Sequence, residues 1–297
     1  MATKKLPIMN LEWINTSMPS NDELAQFARD TGLLATDSEF LLHGMRRPEI
    51  AFRDTYTMIF LQVPAFDKRT RVTSGSGIVF IMTKNRLHTL HYQPIATLEK
   101  IRQEFEENPE KHELAGSNGS VNLALHIISS LHESSFRKLQ RLAKHIDIAE
   151  DAVFFGNERK MVEEVAVLGR DVLDFRRIIR PHLHVFETLP LDADENTIAL
   201  WRRVGSQMHQ MWELLDSLHD SAKELRNTND SLLQHKENEL LRLLSFYSII
   251  AIPIWAFIGP FSPLDSVLSA RVYWAGLGLL AFFLLIIFIR ARRRKVL

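Results

Sequence analysis

Hydrophobic and polar positions divide this chain of 297 residues into stretches of different period. Residues 55–63 (TYTMIFLQV) and 77–83 (GIVFIMT) are runs of β-branched and aromatic side chains, and 86–92 continues in the same style. Such runs predict strands, with 64–71 as a hairpin-like link between the first two. Ser20-Asn21-Asp22-Glu23 has the spacing of a capping box, and Leu24 and Phe27 follow as the inner face of the short helix it opens. Pro94 opens another helix running to about Glu107, where Asn108-Pro109 stops it. Residues 1–115 are therefore expected to form a compact α/β domain.

The period changes after Gly119. Leu139, Leu142, Ile146, Ala149 and Val153 recur at steps of three and four. Gly156-Asn157 breaks that run, and Met161, Val165, Leu168, Val172, Phe175 and Ile179 resume it until Pro181. This predicts an antiparallel helical hairpin over 120–197. Val204, Met208, Met211, Leu215, Leu218, Ala222, Leu225, Asn229 and Leu232 then follow a strict four-three spacing, the seam of a coiled coil. Between Ile198 and Ile252 there is one glycine, Gly205, and no proline. The expected element is one long stalk helix over 198–242 that continues into the next segment, on the order of 80–90 Å at ~1.5 Å per residue. A seam of this length is expected to join parallel copies of the chain.

Residues 243–261 and 272–289 carry no charge. A bilayer core of ~30 Å needs about 20 apolar helical residues, so both stretches are expected to be transmembrane helices. The loop between them, 262–271, is too short to fold alone and holds Pro263. Both ends of this pair are then expected on one side of the membrane.

Charge assigns the side. The chain has 36 basic and 36 acidic residues, but residues 240–297 hold seven basic ones (five of them in the tail 290–297) against Asp265 alone. The tail segment is +6 and residues 1–239 are −6. Basic flanks stay in the cytoplasm, so both termini are expected to be cytoplasmic. The first residues, MATKKLPIMNLEW, lack the apolar core of a secretory leader.

Candidate chemistry is sparse. The absence of cysteine excludes thiol catalysis and cysteine metal sites. Gly75-Ser76-Gly77 lacks the rest of a phosphate fingerprint and reads as a strand irregularity or turn. His88 and His91 would face opposite sides of a strand, while His182 and His184 would share a face only if extended. The acidic residues between 100 and 180 read as solvated helix faces, with weak divalent-cation binding expected of the domain as a whole. No catalytic constellation is present, so an enzyme is not expected, nor is an organic cofactor or a nucleic-acid partner.

One stripe does carry function. Asn238, Leu241, Ser245, Ser248, Ile252, Trp255 and Gly259 recur at steps of three and four and include the polar residues of the first span. Around an oligomer axis this stripe would line a pore, with apolar rings that dewet and hydroxyl rings that face hydrated ions. Packing between helices is the competing reading, because serine and small residues also serve there.

Several segments in order resemble the CorA family of divalent-cation channels and transporters, of the CorA and ZntB type. Trp13-Ile14-Asn15, Pro19 to Leu24 (PSNDEL), Arg47-Pro48-Glu49 and Tyr56 to Pro64 (YTMIFLQVP) resemble its early strands and helix. Thr83 to His91 (TKNRLHTLH), Asn238 to Leu244 (NELLRLL) and Pro253 resemble its later strand, its lead-in to the membrane and its mid-span proline. The resemblance implies a homopentameric funnel in the bacterial inner membrane, with first spans lining the pore and second spans facing lipid. Asn238, Leu241, Leu244, Ser248, Ile252 and Trp255 fall at or near pore positions, and Leu241 and Leu244 would form a hydrophobic gate. Magnesium is the leading ion, zinc or cobalt next, as cargo or as a regulatory load between subunits; no metal-site residues are assigned.

The same resemblance exposes a departure. The family ends its first span with Tyr-Gly-Met-Asn or a related glycine–asparagine ending, whereas Phe261-Ser262-Pro263-Leu264 stands here. Leu264 has no acceptor for a hydrated cation, and Trp255 stands where threonine is usual. A non-conducting or weakly selective membrane scaffold or sensor is therefore the alternative function.

Overall fold

The structure is a computed structural model that describes residues 2–42, 47–67, 72–108, 119–188 and 193–258, with 274–276, 278, 279 and 282 beyond them. The chain divides into two compact units, Met1–Asn229 and Asp230–Leu297.

The first unit is built on a six-stranded sheet. Its strands are β1 (Ala2–Ile8), β2 (Leu11–Ser17), β3 (Glu49–Phe52), β4 (Thr57–Asp67), β5 (Val72–Met82) and β6 (Arg86–His91). They lie in the order β1-β2-β6-β5-β4-β3, and only β2 and β6 run parallel. Helices α1 (Asn21–Thr31) and α2 (Ala35–Leu42) cover one face. Leu24 and Leu41 meet Tyr56, Met58, Phe60, Val79, Ile81 and Leu90 there. The other face carries α3 (Ala96–Glu107), α4 (Ser120–Ala152) and α5 (Glu158–Ile179). Because both faces are covered, Ile78 to Met82 are buried without alternation. That double covering is why these strands read as continuous apolar runs.

The expected capping box is formed: Glu23 N–H donates to the Ser20 hydroxyl at 3.4 Å and Ser20 N–H donates to the Glu23 carboxylate at 2.8 Å. The link expected at 64–71 is shorter, because β4 and β5 stay paired from Thr57–Met82 out to Asp67–Val72. Pro64 thus sits inside a strand, opposite Gly75. β3 pairs only with Thr57 to Phe60, so the far edge of β4 is open at Pro64 and its missing N–H breaks no ladder on that side. Gly75-Ser76-Gly77 is likewise neither turn nor irregularity but regular strand. A Cβ at Gly77 would lie 3.0 Å from the Phe60 ring, so glycine there admits that ring across the strand.

The predicted hairpin is present as α4 and α5, joined by a π-type turn at Val153–Asn157. Gly156 has φ +90° in that turn, a conformation that side chains with a Cβ avoid. A short helix, α6 (His182–Glu187), follows Pro181. The last helix, α7 (Glu195–Ile258), is a single 64-residue element that belongs to the first unit as far as Asn229. Its continuity through residue 242 agrees with the gly- and pro-poor sequence.

A buried polar chain fixes β2 to β6. The Trp13 indole N–H donates to the Thr89 hydroxyl at 3.0 Å, and that hydroxyl donates to Asn15 Oδ1 at 2.8 Å. Trp13, Asn15 and Thr89 are all buried, so neither partner has water as a substitute. We expect Thr89→Val, nearly isosteric but without the hydroxyl, to lower stability by roughly 2–4 kcal/mol, since each orphaned buried group costs about 1–3 kcal/mol. Chemical denaturation of wild type and variant checks this, and an unchanged midpoint would show that the chain carries no stabilisation.

Candidate functional site

The seam of α7 is spent inside its own chain. Trp201, Val204, Met208, Met211, Leu215, Leu218, Ala222, Leu225 and Asn229 are buried. Polar contacts along it tie α7 to the other helices. Ser129 of α4 donates to Gln207 Oε1 at 3.0 Å, and Thr197 donates to Asn122 Oδ1 at 2.8 Å. Arg176 of α5 pairs with Asp216 at 3.0 Å, its guanidinium 5.0 Å from the centre of the Trp212 ring. The Trp201 indole donates to the Phe186 carbonyl of α6 at 3.2 Å. The four-three spacing therefore buries this stripe against the chain's own helices. Antiparallel α4 and α5 supply the groove that a second coiled-coil strand would have supplied.

In the second unit the pattern reverses. Leu240, Leu241, Leu243, Leu244, Tyr247 and Ile249 are exposed, Leu244 at 62% and Tyr247 at 70%. A helix with leucines exposed around its circumference is not a surface helix of a self-sufficient monomer. Within it, Asn238, Leu241, Ser245 and Ser248 share one face by their helical spacing, and Leu244 lies at the edge of that face, one turn after Leu241. The Ser245 hydroxyl donates to the Leu241 carbonyl at 2.8 Å, and the Ser248 hydroxyl donates to the Leu244 carbonyl at 2.9 Å. Each serine hydrogen is therefore committed to its own helix, and the oxygen lone pairs remain as acceptors. That polarity suits waters whose oxygens are turned to a cation and whose hydrogens point outward. The exposed Asn238 amide adds a further acceptor and donor to the same face.

The backbone of Ile252 and Trp255 lies within α7. Gly259, Ser262, Pro263 and Leu264 lie outside the described residues, as do most of the expected second span and the whole of the 290–297 tail. Of residues 272–289, those described are helical, and Trp274, Leu279 and Phe282 are exposed. Among the described residues, no helix is long and apolar enough to cross a membrane.

The histidines do not assemble. His88 packs edge-on against Phe27 of α1 at 4.9 Å, while His91, on the opposite face of β6, hydrogen-bonds the Gln93 carbonyl at 2.7 Å. His182 and His184 fall on a helix, not the extended segment that would have aligned them: His182 is buried and takes the Gln62 N–H at 3.0 Å, while His184 faces Glu187 at 3.0 Å. Among the described residues no group of three or more His, Asp or Glu side chains is arranged to hold a metal ion. Sequence reasoning passed over His132, which is buried beside His182 with ring centroids 6.3 Å apart. The available signal was its place one residue after Leu131 on the buried face of α4.

A family profile described as "CorA-like Mg2+ transporter protein" matches residues 10–261. The cobalt/magnesium transport protein CorA of Thermotoga maritima is 24% identical over 258 residues, covering 83% of this chain and 71% of that protein. Among solved structures, the CorA magnesium transporter of Methanocaldococcus jannaschii aligns with a TM-score of 0.77 at 19% identity, covering 96% of this chain and 90% of the other. The full-length CmaX protein aligns with a TM-score of 0.78 at 15% identity, covering 97% and 90%. These structures share the fold.

Burial sets the acid response of the first unit. Desolvation, and then the Arg86 charge, push His88 down to about 4, and desolvation pushes His182 down to about 3. Both rings are neutral in the fold but gain a proton near pH 6.5 once unfolded. Their contribution is complete above pH 6.5 and is lost as pH falls towards 4 and 3. At about 1.4 kcal/mol per pH unit, His88 alone accounts for roughly 3 kcal/mol. We expect the melting temperature to fall between pH 6.5 and 4.5, and His88→Leu to flatten that slope. An identical slope in the variant would show that His88 titrates normally in the fold.

Proposed function

From the premise that the chain belongs to the family of CorA-like Mg2+ transporter proteins, we propose that it carries divalent cations across the bacterial inner membrane. The observation that carries this reading is the reach of the family match, which extends to residue 261 and so takes in the exposed helix from Asp230 to Ile258. In this proposal five copies of the chain surround one axis, and the face of Asn238, Leu241, Leu244, Ser245, Ser248, Ile252, Trp255 and Gly259 lines the path. Both termini are cytoplasmic, and residues 272–289 form the outer, lipid-facing span.

The chemistry follows from the order of side chains. Asn238 and the two serines present oxygen acceptors to the hydration shell of an incoming ion. Leu241 and Leu244 form adjoining apolar rings, and a narrow apolar ring empties of water and blocks a hydrated ion until it widens. The driving force is the ion gradient together with the membrane potential, which contributes about 2.3 kcal/mol per elementary charge per 100 mV. Magnesium is the first candidate, with zinc and cobalt next. No proton transfer or covalent step is needed.

A second reading has its own support. Leu264, at the position where the family resemblance places an asparagine, has no acceptor for a hydrated ion, and the bulk of Trp255 narrows the path. Both features favour a pentameric scaffold or sensor that keeps the fold without conducting. Uptake of magnesium, zinc or cobalt into liposomes holding the purified protein and a fluorescent indicator separates the two. Transport predicts saturable uptake that rises severalfold in Trp255→Ala. No uptake of any ion, from protein shown to be inserted and oligomeric at low internal divalent concentration, would overturn it in favour of the scaffold.

A further inference from the structure

The hairpin of α4 and α5 ends in the most exposed large apolar side chain among the described residues. Phe155, in the π-type turn at Val153–Asn157, is 84% exposed, and Phe154 beside it is 64% exposed. Val153, just before them, is buried. Gly156, with φ +90°, reverses the chain directly after the two rings. A Cβ at Gly156 would meet nothing within 4 Å, so none of the described residues lies over the turn. Ile148 on α4 and Val162 on α5 add exposed apolar surface one to two helical turns behind the tip. Single exposed apolar residues are ordinary on a protein surface, but a contiguous apolar patch marks a place of contact.

Polar contacts locate this tip within the first unit. Thr197 of α7 meets Asn122 of α4, and further on Gln207 meets Ser129, so the two helices advance together. From Ser129 the chain runs another 24 residues to Val153, about 36 Å of helix. That brings the turn to the level of Asn229, the last residue of the first unit and the last buried residue of the seam among those described. The tip therefore lies at the end of the first unit from which α7 continues. The exposed charges beside the rings balance, with Glu150 and Asp151 on α4 against Arg159 and Lys160 on α5, while Glu158 is buried. An apolar pair with balanced charge around it selects neither an acidic nor a basic partner. A convex turn also offers no groove for a helix or strand to enter. It suits a layer that parts around the rings, such as the headgroup–acyl boundary of a bilayer, which takes apolar side chains to a depth of about 5–10 Å.

We propose that the turn between α4 and α5 is a membrane-surface contact, with the Phe154 and Phe155 rings inserted at the headgroup–acyl boundary of the bilayer that holds the chain's own spans. This rests on the membrane residence in the proposed function and not on ion transport. Each copy then has a second attachment to the bilayer besides its spans. That attachment acts on α4 and α5, the two helices that receive the α7 seam. Because the neighbouring charges balance, the contact needs no anionic lipid.

The chain has no cysteine, so one nitroxide label can be attached at one chosen position. The test compares Asn157→Cys at the tip, Leu279→Cys in the second expected span and the exposed Lys84→Cys between β5 and β6. Each is labelled in the full chain, held in nanodiscs of phosphatidylcholine, and read by electron paramagnetic resonance. Molecular oxygen, which concentrates in the bilayer, and a water-soluble nickel chelate are the collision partners. The ratio of oxygen to nickel accessibility at position 157 is expected severalfold above that at 84. It should fall to the value at 84 once Phe154→Ser and Phe155→Ser are added, and neither of those exposed changes touches the core. Equal ratios at 157 and 84, with the label at 279 inside the bilayer, would overturn the tip contact and leave the membrane residence standing. A water-exposed label at 279 would overturn both. Shielding of position 157 from both collision partners, with spin–spin broadening that disappears on dilution with unlabelled chain, would put a second copy on the tip and overturn the lipid contact.

Discussion

The apolar surface of α7 has partners for only part of its length within one chain. As far as Asn229 its seam is buried against α4, α5 and α6, and side chains such as Trp201, Val204, Met208 and Leu215 are almost wholly removed from water. Between Leu240 and Ile249, large apolar side chains are exposed on every side of the same helix. Leaving a leucine in water forgoes roughly 1.5–3 kcal/mol relative to burial. Five such residues (Leu240, Leu241, Leu243, Leu244 and Ile249) therefore represent on the order of 10 kcal/mol of burial still to be gained. In the proposed pore, lipid and neighbouring copies of the chain supply it.

The first unit is organised to hold the beginning of that helix rigidly. Its sheet is covered on both faces, with β2 and β6 pinned by the Trp13–Thr89–Asn15 chain of hydrogen bonds. α4 and α5 lie on one face of that sheet and at the same time receive the α7 seam. The tilt and rotation of α7 in the first unit are thus set by the sheet through a single intervening layer. Neutral buried histidines belong to the same packing: His88 sits under α1 and His182 caps a backbone N–H of β4.

Much of this was legible in sequence because the responsible forces are local or periodic. The capping box at Ser20, the hairpin break at Gly156 and the continuity of α7 each follow from residue type and spacing. β1 and β3 were not read: β1 is short on apolar residues and gains its place by pairing with β2, while β3 is a four-residue edge strand. Pro64 misled because its tolerance depends on how far a neighbouring strand extends. The α7 seam gave the right helix, but a four-three spacing records that a stripe is buried without recording against what, and its packing on α4, α5 and α6 required coordinates. The stripe of Asn238, Leu241, Ser245 and Ser248 was visible from its spacing, but the direction of the serine hydrogens required coordinates. His132 went unremarked because a single histidine on an apolar helix face resembles any other core position until its unpaired nitrogens are seen.

The central claim is that the exposed helix of the second unit is completed by other copies of the chain. The most direct measurement is the native mass of the full chain extracted in mild detergent, by mass spectrometry that resolves the protein from bound lipid. Five chains per particle is the expected result. A monomer would contradict the pore, because a single stripe of Asn238, Leu241, Ser245 and Ser248 encloses nothing.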